Sequence, residues 1–320
     1  MSSGWRKGCG RSEWSWWADG ASMNSKSGKN YFEQIRLLSM IALFADDELM
    51  DHVVLKGGNV LSLLYKMANR TSMDIDASLP GDLPWSLDET ERRLCEAFGR
   101  VFGAEGLEIF DVSFLQKPKT LGDKQDKRFI GYVFTFKVME SERAKAYQDR
   151  KVRKSIEAIV VGENQQRTFR VDFSTYEFIK GKSEFEIEGY VIQAYSLELI
   201  AVEKLRAICQ QFPDYPGRKK KSSRSRDFFD IYTLVHGSYV DFTNEGTLSL
   251  VRPVFDAKEV SLDYLIRLDE VFDIHEASFQ ALKNTIPAGI EIHDFRFYFE
   301  FIKTIASGIH THLAQSNSAG

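Results

Sequence analysis

Two acidic residues two positions apart, Asp74 and Asp76 in the run Met73-Asp74-Ile75-Asp76-Ala77, open the chemistry of this chain. In an extended strand they point to one face while Ile75 points into the core. Carboxylates held side by side repel each other, and a divalent cation removes that cost. Magnesium takes one or two carboxylates and completes its shell with water and phosphate oxygens. Upstream, the apolar run Val53-Val54-Leu55 gives way to Lys56-Gly57-Gly58-Asn59. Apolar residues then recur at Val60, Leu61, Leu64 and Tyr65, the spacing of one helix face. Bare backbone N–H groups at such a strand-to-helix turn suit a phosphate. Val53–Ala77 therefore offers a metal pair and a phosphate cradle in one segment, joined by the polar turn Asn69-Arg70-Thr71-Ser72. The plain alternative is an ordinary turn followed by a solvent-facing Asp-X-Asp.

Other charged residues stand where a charge is unexpected. Gln166–Thr175 alternates, with Phe169, Val171 and Phe173 on one face and Arg170, Asp172 and Ser174 on the other, so Asp172 sits mid-strand. The competing reading is a solvent-side acid on an edge strand. Glu186 and Glu188 alternate too, but in an acidic hairpin with no glycine-rich partner, and rank below Asp172. Ser196 is placed to cap a helix, SLELIAVEKLRAICQQ, whose apolar stripe is Leu197, Ile200, Ala201, Leu205 and Ile208. Lys204 falls on that stripe. A lysine there is costly to bury alone, so it either snorkels along the face or aims its charge at an anion. Asp227 and Asp230 lie i,i+3 on a following helix, where acids in the first turn also suit the helix dipole. Just before them Arg218, Lys219, Lys220, Lys221, Arg224 and Arg226 put six cations into nine residues. Gly181-Lys182-Ser183 imitates the end of a P-loop, but Tyr176 stands where the motif needs glycine. No spacing among the histidines, His310 and His312 included, suits a metal.

The elements that must position these groups follow from period and punctuation. Tyr31–Phe44 carries apolar residues at helical spacing. Ser86-Leu87-Asp88-Glu89 is a capping box that opens a helix to about Phe102. Gly106–Gln116 and Phe129–Met139 read as strands, and Glu140–Lys154 as a short helix or a long loop. Beyond His236 the chain reads helical, with a stripe at Leu262, Leu265, Leu268 and Val271-Phe272. Tyr298, Phe301, Ile302 and Ile305 keep the spacing of a buried helix.

The string LKGGNVLSLLYKMANRTSMDID resembles the AbiEii/AbiGii toxin family of nucleotidyltransferases, within the polymerase-β-like superfamily. EKLRA and RDFFDIYTL resemble that family's third and fourth motifs, and the resemblance runs from about Tyr31 to Leu234. It implies an α+β fold: a polymerase-β-like nucleotidyltransferase domain with a mixed sheet over 30–195, behind a flexible tail at 1–29, and a helical domain over 196–320 that closes on the nucleotide. It implies Asp74 and Asp76 as metal ligands with Asp172 as the third carboxylate. Lys56, Gly57, Gly58, Asn59, Ser72 and Lys204 would surround the nucleotide. Lys204 and Asp227 would join the catalytic set, with Asp230 as a further acid. The cofactor would be Mg²⁺, with Mn²⁺ as a substitute. The reaction would move a nucleotide from an NTP to an acceptor hydroxyl, which for some members is the 3′ end of tRNA. The protein would be the toxin of a toxin–antitoxin or phage-defence pair with a separately encoded antitoxin. Two rivals stand beside this: nucleotidylation of a protein hydroxyl, and a non-catalytic RNA- or partner-binding module on a degenerate scaffold. Intact Asp74, Asp76 and Lys204 argue against the second.

Composition sets the frame. The 320 residues, 43% hydrophobic and 28% charged, suffice for two domains of ordinary globular balance. No apolar run is long enough to span a bilayer, and the N-terminus carries no signal-peptide core. Cys9, Cys95 and Cys209 are far apart and form neither a zinc motif nor a disulfide framework, so a reducing cytoplasmic setting is expected. The net charge of −4 is uneven: residues 116–154 hold 12 Lys/Arg against 5 Asp/Glu, and residues from 227 onward hold 6 against 14. The basic stretches 117–154 and 218–226 are expected to hold an RNA backbone. The aperiodic N-terminal stretch holds Trp5, Trp14, Trp16 and Trp17, which either dock on the domain or precede a natural start at Met23.

Overall fold

Seven strands form one mixed sheet in the computed structural model, which describes residues 28–67, 74–119, 127–147, 151–160, 165–217, 220–286 and 289–318. They are β1 (Val54–Lys56), β2 (Ile75–Ser78), β3 (Leu107–Lys117), β4 (Gly131–Glu140), β5 (Phe169–Ser174), β6 (Lys182–Ile187) and β7 (Tyr190–Tyr195). Their order is β3-β4-β5-β2-β1-β7-β6. β2 runs parallel to β5 and β1 parallel to β7, while the other neighbours are antiparallel. The alternation in β5 falls as its sequence requires: Phe169, Val171 and Phe173 are buried, and Arg170, Asp172 and Ser174 look to the other face. β5 lies inside the sheet, between β4 and β2. The edge-strand reading of Asp172 is thereby set aside. β6, which carries Glu186, is one of the two edge strands.

The helices of the first part are α1 (Gly28–Leu43), α2 (Gly57–Asn59), α3 (Leu87–Ala104), α4 (Ser141–Lys145) and α5 (Lys151–Ile156). α2 runs on into a π-helical stretch, Val60–Leu64, in which Tyr65 N–H reaches back to the Val60 carbonyl. Ser86 Oγ accepts from Glu89 N–H at 3.2 Å and so starts α3 as its capping box predicts. α3 lays Phe98 and Phe102 against Phe134 and Phe136 of β4. The polar segment after β4 forms the two short helices α4 and α5.

Helices α6 (Leu197–Cys209), α7 (Ser225–His236), α8 (Glu245–Asp256), α9 (Phe272–Glu276), α10 (Phe279–Lys283) and α11 (Phe295–Ser318) make up the rest. Ser196 Oγ caps α6 by accepting from Leu199 N–H at 3.2 Å. The stripe from Leu262 is not one α-helix. It forms two 3₁₀ turns, Leu262–Ile266 and Leu268–Val271, parted at Arg267, whose guanidinium is drawn out to Asp214 and Glu270. α11 buries Phe295, Tyr298, Phe299, Ile302, Ala306 and Ile309 along one face, with Phe295 and Phe299 against Phe228 of α7. One cluster of buried apolar side chains runs from Ile35 through Leu55, Ile75 and Val171 to Leu205, Ile231 and Ile309, without a break at 195/196. Among the described residues no helix is long and apolar enough to cross a membrane.

Candidate active site

The parallel pairing of β2 and β5 sets Ile75 opposite Val171 and Asp76 opposite Asp172. Ile75 is buried at 1% exposure. Asp74 stands just before the first residue of β2, so strand alternation puts Asp74, Asp76 and Asp172 on one face. They act on one another. Burial pushes the Asp76 carboxyl up to about 6; Lys56 opposes this and Asp172 adds to it. Burial also raises Asp74, with Asp172 adding and Arg170 and Lys117 opposing.

The glycine turn lies against this face. β1 pairs with β2 so that Lys56 faces Asp76, and Gly57 follows with φ +79. A Cβ on Gly57 would stand 2.5 Å from Asp76 Oδ2. Conformation and close approach both demand glycine here. Lys56, in extended conformation at the helix start, gives the first turn no side-chain acceptor.

Asn59, expected at the nucleotide, is tied to the carbonyl of the first acid. It is buried at 1% exposure. Its Nδ2 donates to the Asp74 carbonyl at 2.5 Å, and its Oδ1 accepts from Arg36 Nε at 2.6 Å. Arg36, which also donates to Ser62 Oγ, is lowered by burial to about 10. Asn59 therefore positions Asp74.

Lys56 is also committed inward. Its Nζ lies 3.3 Å from Glu177 Oε1 and 3.9 Å from Glu203 Oε1. Arg206 and Lys258 reach the same Glu177 at 3.2 and 3.6 Å. Burial alone would raise Glu177, but Arg206, Lys56 and Lys258 outweigh it and hold the carboxyl down at about 2. Lys258 donates to the carbonyls of Arg128 and Thr175 and is lowered by burial to about 8.

Lys204 does not snorkel. It is 4% exposed, with Nζ 2.9 Å from Asp227 Oδ1 and 2.7 Å from Asp230 Oδ2. It clamps α6 to α7, and its charge reaches Asp76. Arg224 Nη1 approaches Asp227 Oδ2 at 3.6 Å. Ser72, Arg218 and Lys219 lie outside the described residues. Lys220 and Arg226 are exposed, whereas Lys221 Nζ donates to the Tyr215 carbonyl and lies over the Tyr215 ring.

Sequence reasoning passed over Arg170, whose Nη2 donates to Asp172 Oδ1 at 2.5 Å. The signal was its place on the Asp172 face, two residues earlier. It also passed over Glu177, Glu203, Arg206 and Lys258, whose burial no local pattern announces.

Three carboxylates on neighbouring strands are hard oxygen donors and suit magnesium or manganese. Among the described residues no three His, Cys, Asp or Glu side chains are already gathered as a metal shell; one of the three carboxylates here, Asp172, is held by Arg170. The donor chemistry fits the ion.

A family model described as nucleotidyl transferase AbiEii toxin, type IV toxin–antitoxin system, matches residues 40–300. Among solved structures the chain is similar to a candidate nucleotidyltransferase from H. pylori: 17% identity, TM-score 0.46, covering 91% of this chain and 98% of that one. JHP933 from Helicobacter pylori is similar at 17% identity and TM-score 0.46, covering 92% of this chain and 97% of that one. An antigenic nucleotidyltransferase-like protein from Paracoccidioides brasiliensis is similar at 14% identity and TM-score 0.37, covering 79% and 95%. No curated protein matches the sequence.

Proposed function

Because the chain belongs to the AbiEii family of nucleotidyl transferase toxins, we propose that it moves a nucleotide from an NTP to a hydroxyl of RNA, the 3′ end of a tRNA, with magnesium or manganese held by Asp74, Asp76 and Asp172. The observation that carries this reading is the pairing of Asp76 with Asp172 across parallel strands, beside a glycine turn with room for no side chain. In the reaction the acceptor oxygen bonds to the α-phosphorus as the bond to pyrophosphate breaks. A bound ion of this kind supplies charge neutralisation on the phosphates and a lower pKa for the attacking hydroxyl.

The chain's own residues supply position and field. Gly57 and Gly58 let backbone N–H groups approach the triphosphate. Lys56 and Lys204, each fixed by buried carboxylates, lend positive potential without moving, which suits charge that develops in a transition state. Asn59 and Arg36 hold Asp74 in place through its carbonyl. Asp227 and Asp230 keep Lys204 oriented. The helices from Ser196 onward are the second part of the protein and carry Lys204 to the nucleotide. Lys220 and Arg226, with the basic stretch 117–154, hold the RNA backbone. Membership of a type IV toxin–antitoxin family supports a separately encoded antitoxin partner, and we place the pair in the cytoplasm with a role in phage defence.

The test is incubation with each labelled NTP, Mg²⁺ and either total RNA or total protein, followed by gel separation. Label on a small RNA that EDTA abolishes is the expected result. Label on protein would move the acceptor to a protein hydroxyl. No label in either pool would favour a binding module on a degenerate scaffold.

A further inference from the structure

The face of β5 that carries Asp172 also carries Arg170, with Nη2 2.5 Å from Asp172 Oδ1. The guanidinium lies within electrostatic reach of Asp172, Asp74 and Asp76 alike. Arginine stays protonated, so its charge leaves the site only if the side chain moves. Two observations say that it can. Its side chain is 37% exposed, against 10% for Lys56 and 6% for Lys204. Its Nε is buried without a hydrogen-bond partner, so the group is incompletely satisfied where it rests. The other two cations are tied by buried carboxylates of their own.

We propose that Arg170 is a resident counter-ion, which a divalent cation displaces from Asp172 and which then turns to the phosphates of the incoming nucleotide. The inference rests on the metal-dependent reading above. A divalent ion arriving alone meets a like charge already seated among the three acids. When the nucleotide arrives as well, its phosphates offer the guanidinium a planar, charge-assisted partner in exchange. Cation and nucleotide therefore bind cooperatively, and the strengthening is the same in both directions.

The test is Mn²⁺ affinity of the full chain, by calorimetry or by electron paramagnetic resonance, with and without a non-hydrolysable NTP analogue. Wild type, Arg170→Gln and Arg170→Lys are compared, and Arg170→Leu repeats the measurement if the glutamine variant melts early. Removing the charge should tighten nucleotide-free Mn²⁺ binding on the order of tenfold, as loss of a like charge a few ångströms away predicts. The extra Mn²⁺ affinity conferred by the analogue should shrink, and the KM for NTP should rise. Arg170→Lys, which keeps the charge, should bind nucleotide-free Mn²⁺ as weakly as wild type. Nucleotide-free Mn²⁺ affinity that is unchanged or weaker in the uncharged variants overturns the inference and leaves the metal reading standing. Wild type that binds no Mn²⁺ even with the analogue overturns both.

Discussion

Gly57 and Asp76 constrain each other. With φ at +79 and Asp76 Oδ2 2.5 Å from where a Cβ would stand, Gly57→Ala must distort either the turn or the carboxylate. We expect a loss of about 2 kcal/mol in stability, together with most of the transfer activity, read from thermal melts and NTP incorporation. Wild-type melting and activity would mean that the turn has room to spare. Asp76→Asn separates the two readouts. Transfer should fall at least about a hundredfold, the scale of lost transition-state charge stabilisation. The metal-free fold should gain. Asp76 titrates at about 6 when folded, above its ordinary 3.8, so its ionisation costs stability above pH 6 and costs nothing below pH 4. In EDTA the variant should therefore be more stable by about 2 kcal/mol at pH 7.5, allowing for its partial exposure, with the advantage vanishing towards pH 4. At this scale the acids and the glycine were legible, because strand period and the needs of a phosphate turn leave few alternatives. Arg170 obeys the same period but belongs to no motif. The partners of Asn59, Arg36 and the Asp74 carbonyl, were not legible, because they meet it only through the tertiary fold.

Between elements, the ion pairs decide more than the individual charges do. Lys204 viewed alone on an apolar stripe is a cost whose removal should be harmless. Paired with Asp227 and Asp230, it takes a close cation away from two buried carboxylates when deleted. Lys204→Ala should lose about 3 kcal/mol, and adding Asp227→Asn should recover part of that loss in a double-mutant cycle by urea denaturation. Additive losses would mean that the clamp is not an energetic unit. Glu177 binds the loop before β6 to β1 and α6. Its folded value of about 2 lies below the ordinary 4.5, so its contribution is present above pH 4.5 and disappears as pH falls towards 2. Glu177→Gln should be less stable than wild type by about 3 kcal/mol at pH 7, with the gap narrowing below pH 4.5. A gap that stays constant with pH would show that lost packing, and not charge, is responsible. Helix and strand positions came within a few residues of expectation where apolar period and caps agreed, as for α3 and α6. They did not around Leu262, because the same spacing serves a 3₁₀ turn and an α-helix. The Lys56–Glu177–Arg206–Lys258 cluster was illegible because its members meet only through the tertiary fold.

Over the whole molecule, net acidity hides an uneven spread of charge along the sequence. If Lys219 and Lys220 face an RNA backbone, replacing both by Gln should weaken RNA binding and flatten its log–log salt dependence by up to roughly 1.5 units, with NTP affinity unchanged. Lys221→Gln should act otherwise and lower the melting temperature, since its ammonium ties the segment to Tyr215. Equal salt slopes in the double variant and wild type would leave the loop merely solvated. The uneven charge was plain in the sequence; which lysines are spent on the fold was not. The long reach of the β2–β5 pairing also bears on timing. Parallel pairing across so much intervening chain is slow to form, and synthesis delivers the chain N-terminal end first. A nascent polypeptide carries the glycine turn and the first two acids well before Asp172 exists, and the Lys204 clamp waits for α7. The three acids can therefore come together only after both β2 and β5 have been made and have paired.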